Sequence, residues 1–148
     1  MKCKALLTLA AGLFLAADAP GEDPIKVEKK RFEGTWSLVA LEVDGQPVTL
    51  DVMKEARLVV AGDRYSFQYG TARMELRHRV DPGRTPKAID LVITDGKDEG
   101  KVYRGIYELN GGRLKICRSA DPGNARPTRF ATEPGSGLML IEWKRDTP

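Results

Sequence analysis

The two runs Tyr65-Ser66-Phe67-Gln68-Tyr69 and Met74-Glu75-Leu76-Arg77-His78-Arg79-Val80 alternate with a period of two. In the first, the aromatic rings share one face. In the second, one face is apolar with His78 and the other is charged. Side chains alternate across a strand, so this pattern marks strands with one buried and one wet face, as antiparallel sheets have. Working outward, Thr35–Val43, Arg57–Ala61, Ala88–Thr94, Val102–Leu109, Arg113–Arg118 and Leu138–Lys144 read the same way, giving about eight strands in all.

The punctuation between the runs fits hairpins. Asp44-Gly45, Gly62-Asp63, Asp95-Gly96 and Asn110-Gly111-Gly112 supply residues that tolerate positive φ. Short strands joined by such turns predict an all-β chain, either a sandwich or an up-and-down barrel, and periodicity does not choose between them. Two segments break the rhythm. Residues 51–56 (Asp51-Val52-Met53-Lys54-Glu55-Ala56) predict a short helical segment capped by Asp51. Residues 119–137 form a long loop containing Pro and Gly, of a length that is uncommon unless the segment is functional or mobile.

The chain opens with Met1-Lys2-Cys3-Lys4, followed by an apolar run from Ala5 to Ala17. A basic start and about a dozen apolar residues predict a secretory signal peptide over 1–21, too short for a permanent span of roughly 20 residues. Cleavage after Ala19 is opposed by Pro20, and a cut after Gly21 is the alternative. Cys3 precedes the apolar run, so no lipid attachment is expected, nor a stable membrane anchor after cleavage. Localisation is therefore read as exported: periplasm, cell envelope or medium. A charged lead-in, 22–31, then precedes the barrel domain, 32–148. Losing Lys2, Lys4 and Asp18 takes the formal net charge from +3 to +2. The basic cluster Lys29-Lys30-Arg31 lies between Glu28 and Glu33 and reads as a solvated segment, so no nucleic-acid partner is expected. Beyond the signal only Cys117 remains, which excludes an internal disulfide and reads as a packed small hydrophobe.

The phrases Phe32-Glu33-Gly34-Thr35-Trp36, Asp44-Gly45-Gln46-Pro47, Thr85-Pro86-Lys87-Ala88-Ile89-Asp90, Gly105-Ile106-Tyr107-Glu108-Leu109 and Arg126-Pro127-Thr128 occur in that order. They resemble an exported lipocalin-like domain family of bacteria, best known from planctomycetes. Gly34-Thr35-Trp36 is also similar to the Gly-x-Trp signature that opens lipocalins. The resemblance implies a lipocalin-like barrel with no activity attached. It implies that Gly34 and Trp36 close one end with a terminal cation, Lys144 or Arg145, across the indole. The loop carrying Met53 would border the opposite, open end.

No catalytic pattern is present. The single histidine, His78, lies on an apolar strand face without a nucleophile elbow, and one His with one Cys is too few for zinc. Asp90, Glu108 and Glu142 sit within strands, where outward-facing charge is the ordinary reading. No metal or cofactor is expected, and an enzyme is the third reading. The residues assigned to ligand contact are Tyr103, Tyr107, Arg118, Arg126 and Arg129, because arginine offers a donor fork for carboxylate or phosphate and tyrosine an apolar body with a polar tip. The leading expectation is a small-molecule barrel that takes a hydrophobic or amphipathic anionic ligand. The alternative is a filled barrel acting as a structural or protein-interaction module of the cell envelope, with its protein partner unspecified.

Overall fold

The computed structural model describes residues 20–147, so the expected signal peptide lies outside the described residues except for its last two positions. Nine strands follow one short helix: α1 (Pro24–Phe32), β1 (Gly34–Val43), β2 (Gln46–Pro47), the one-turn α2 (Leu50–Met53), β3 (Arg57–Ala61), β4 (Arg64–Tyr69), β5 (Ala72–Asp81), β6 (Ala88–Ile93), β7 (Val102–Asn110), β8 (Arg113–Ser119) and β9 (Leu138–Arg145). Every neighbouring pair is antiparallel, and β9 returns to pair with β1 from Trp36↔Arg145 to Val43↔Met139. Eight strands therefore close into an up-and-down barrel, with β2 as an extra strand beside β1. Closure removes the sheet edges that would otherwise pair with other chains.

The alternation in sequence becomes an inside and an outside. Tyr65, Leu76, His78, Val80, Ile89, Leu91, Tyr107, Leu114, Ile116 and Trp143 are buried in the lumen. On β1 the register shifts between Leu38 and Ala40. The extra residue, Val39, lets Leu38 and Leu41 both face inward although they are three apart, as a β-bulge does.

One end is filled. The segment expected as a solvated lead-in is instead α1, with Pro24 at its start and the Asp23 carboxylate capping the Ile25 N–H at 3.0 Å. It buries Phe32 completely and leaves Glu28 only 4 % exposed. Phe32 packs edge-on to Tyr107, with ring centroids 5.0 Å apart, and tilted against His78 at 5.5 Å. The Trp36 indole N–H donates to the Phe32 carbonyl at 2.9 Å. The Arg145 guanidinium lies 4.1 Å from the Trp36 ring centroid and donates to the Glu33 and Arg31 carbonyls. Gly34 has φ +131°, and a Cβ there would stand 2.8 Å from an Arg145 nitrogen, so the glycine clears the path of that side chain.

The other end is held open. β1 pairs with β3 only through Gly34–Ser37, and its upper half is covered by β2, Val48 and α2. The helical turn begins at Leu50 with Thr49 in the cap position and no side-chain cap bond. This corrects the expected start at Asp51. Asp51 falls within the first turn, where its charge faces the positive end of the helix.

The long loop after β8 lies on the outside. Arg126 donates to the Ile89 and Gly105 carbonyls at 3.0 and 2.7 Å and to the Asp90 carboxylate at 2.7 Å. Thr132 accepts from the Gly45 N–H at 2.9 Å. The loop thereby covers Ala88, Ile106 and Cys117, outward-facing residues that are nevertheless 3 % exposed or less. The Cys117 thiol points to the Ala131 carbonyl at 3.8 Å, and burial pushes its pKa up, which keeps it an unreactive packing group.

Candidate functional site

The open half of the lumen holds a cavity of about 230 Å³. Leu38, Leu41, Leu76, Leu91 and Ile141 form its aliphatic wall, and Tyr65, Phe67 and Trp143 its aromatic surface. Phe67 and Trp143 meet edge-on with centroids 6.1 Å apart, which holds both rings in place. Met53 from α2, Met74 from β5 and Met139 from β9 add to the apolar lining. Methionine adapts to irregular shapes, so these side chains suit a rim that must pass or contact varied apolar groups. At 230 Å³ the space is smaller than the roughly 300 Å³ at which sites for drug-sized ligands begin. Its occupant must be small.

One charge enters this apolar space. Alternation along β8 turns Leu114, Ile116 and Arg118 inward, and Arg118 lines the cavity. Its partner position on β7 is Gly105. A Cβ on Gly105 would meet the Cys117 carbonyl at 2.9 Å and the Arg118 Cβ at 3.0 Å, so the missing side chain makes room for the arginine. The guanidinium lies 4.5 Å from the Tyr103 ring centroid, and one N–H donates to the Ser119 carbonyl at 2.8 Å. Arg118 is half-buried where it lines the cavity. Burial pushes its pKa down, with the Tyr65 and Tyr103 hydroxyls opposing the shift. It keeps its charge at neutral pH all the same. Among the described residues no carboxylate lies within 4.0 Å of it, and none lines the cavity.

Two further donors are unspent. The Tyr65 hydroxyl makes no hydrogen bond to the described residues, and burial raises its pKa to about 12 against the pull of Arg118, so it stays protonated. Trp143 has its Nε1–H buried without a partner among the described residues. A buried donor left unmatched costs about 1–3 kcal/mol.

The residues assigned to ligand contact from sequence separate into two groups. Arg118 lines the cavity, and Tyr103 packs against its guanidinium without lining the space itself. Tyr107 points to the filled end, where its hydroxyl donates to the Glu28 carboxylate at 2.9 Å. Arg126 pins the outer loop, and Arg129 is exposed and paired with Glu133. The inward set Tyr65, Phe67 and Leu76 was legible in the alternation around Tyr65–Val80. The unmatched donor on Trp143 and the bulge that adds Leu41 were not, since neither leaves a mark on the pattern. Neither His78 nor the strand carboxylates approach the cavity. His78 Nδ1–H donates to the Asp63 carbonyl at 3.1 Å, and its Nε2 is buried without a partner among the described residues. Burial lowers its pKa, so the ring is neutral. Asp90 is taken by Arg126, and Glu108 faces Lys115 on the outer wall.

Among the described residues, no helix is long and apolar enough to cross a membrane, and no group of three or more acidic, His or Cys side chains is placed to hold a metal. Compared with protein-family models, with curated proteins and with solved structures, the chain matches none.

Proposed function

We propose that this is an exported, lipocalin-like binding barrel whose lumen takes a small hydrophobic or amphipathic anionic molecule. The observation that carries the reading is an arginine that, among the described residues, has no carboxylate partner and faces an otherwise apolar cavity open at one end. A charge in such a place is costly unless something compensates it, and an anionic ligand would do so. The apolar wall would receive the rest of the molecule. The basic and apolar start of the chain supports export, and the order of its sequence phrases supports kinship with lipocalin-like domains.

The second reading, a filled barrel that serves as an interaction module, is favoured by the packed end around Phe32, Trp36 and Tyr107. Extraction of the purified protein followed by mass spectrometry distinguishes the two. The binding reading expects a co-purified small molecule with an acidic group. It also expects anionic amphiphiles to raise the melting temperature, since a ligand at 100 times its Kd adds about 2.7 kcal/mol. An empty extract together with unchanged melting across neutral and anionic compounds would favour the filled module. Export is tested by sequencing the amino terminus of protein recovered from its native host, with a start near Glu22 expected.

A further inference from the structure

Resting on the reading of the lumen as a binding cavity, we infer that its ligand is a monocarboxylate of roughly nine non-hydrogen atoms, with its head on Arg118 and its chain against the aliphatic wall.

Among the described residues, the lining contains one cation, Arg118, and no acid. One negative charge on the ligand is balanced there. A phosphate monoester, near −2 at neutral pH, would bring a second charge with nothing to meet it, which a low-dielectric cavity penalises. An amine would place like charge beside the guanidinium. A neutral alcohol would forgo the charge-assisted hydrogen bonds that make arginine–carboxylate pairs strong.

Geometry points the same way. The guanidinium lies over the Tyr103 ring, and it spends one N–H on the Ser119 carbonyl. Its other donors remain for a planar, two-oxygen head. Tyr65, which lines the same cavity close enough to Arg118 to feel its charge, offers a hydroxyl donor in addition. The missing Cβ of Gly105 keeps the space beside Arg118 clear.

Volume sets the length. An apolar cavity of about 150 Å³ holds benzene. Scaled to 230 Å³, about nine non-hydrogen atoms fit by the same measure. A longer chain must leave its end in water beyond the methionine rim.

The test is a ladder of amphiphiles titrated into the purified protein at neutral pH, read by calorimetry and by tryptophan fluorescence, since Trp143 lines the cavity. Octanoate is expected to bind at least about tenfold tighter than 1-octanol, octylamine or octyl phosphate. Lengthening octanoate to dodecanoate is expected to gain less than about threefold, whereas four more fully buried methylenes would gain more than about a hundredfold. Arg118→Met should bring octanoate down to the level of octanol and leave octanol unchanged. Equal affinity for octanoate and octanol, tighter binding of octyl phosphate, or a hundredfold gain with dodecanoate overturns the monocarboxylate assignment while internal binding stands. If no member of the ladder binds the wild-type protein, the binding reading itself fails. These comparisons on the wild-type protein decide the matter even if Arg118→Met does not fold.

Discussion

Glu28→Ala is expected to cost about 2–4 kcal/mol, because this carboxylate latches α1 to the filled end of the barrel. Glu28 is 4 % exposed and accepts from Arg31 at 2.7 Å, Lys87 at 2.9 Å and the Tyr107 hydroxyl at 2.9 Å. Hydrogen bonds to a charged group contribute about 1.5–3 kcal/mol each in favourable settings. Arg31 and Lys87 are 43 % and 37 % exposed at the side chain, so water takes over much of what they lose. Tyr107 is 1 % exposed, and its hydroxyl would be left unmatched at about 1–3 kcal/mol. At roughly 3–5 °C per kcal/mol for a domain of this size, the melting temperature should fall by about 10 °C. The pH dependence checks the cause. Burial works against the Glu28 charge, but the hydrogen bonds from Lys87, Tyr107 and Arg31 outweigh it and hold the carboxyl below its usual 4.5. Its contribution is therefore complete above about pH 4.5 and is lost as pH falls through the lower folded value. Urea unfolding followed by tryptophan fluorescence should show the wild type losing this increment on acidification and Glu28→Gln lacking it. An Ala variant within about 0.5 kcal/mol of wild type, or a Gln variant with the wild-type acid slope, would refute the latch.

Trp36→Ala should cost roughly 3–5 kcal/mol by chemical denaturation, since it empties a fully buried aromatic site and orphans the Phe32 carbonyl; nearly unchanged melting would contradict its place in the barrel end. Gly105→Ala should destabilise by about 1–3 kcal/mol and weaken octanoate binding, because the added carbon presses on the Cys117 carbonyl and on Arg118. His78 is buried and neutral, its pKa lowered first by desolvation, so the unfolded chain takes up a proton below its usual 6.5 that the folded chain refuses. Stability should then decline as pH falls below about 6.5, and His78→Phe should flatten the melting temperature between pH 7.5 and 5.5. Arg126→Met should cost about 1–3 kcal/mol and open residues 120–137 to protease while leaving octanoate affinity unchanged, since this arginine holds the outer loop.

The barrel wall was legible because several strands keep one wet face, a contrast plainest in β5, where Leu76, His78 and Val80 are buried and Arg77 and Arg79 exposed. Hairpin glycines then supplied the order. What the pattern could not carry were contacts distant in sequence. Glu28 lies among Lys26, Lys29, Lys30 and Arg31, so α1 looks like a solvated charged stretch until Tyr107 and Lys87 are brought to it by the closed sheet. The same limit affected the candidate site. Tyr107 and Arg118 occupy neighbouring strands and both face inward, yet the helix plug claims one and the cavity the other. Arg126 and Arg129 share a loop whose packing face is set by three acceptors on β6 and β7, and nothing local to the loop announces which way it folds.

A binding barrel requires that a small molecule enter the lumen between Trp143 and the methionine rim. Isotope-filtered nuclear Overhauser measurements on the protein with octanoate test it directly. Cross-peaks from the chain protons to the methyl groups of Leu38, Leu91 and Ile141 are the predicted result. Cross-peaks confined to outer side chains such as Phe130, or none at saturating octanoate, would contradict it.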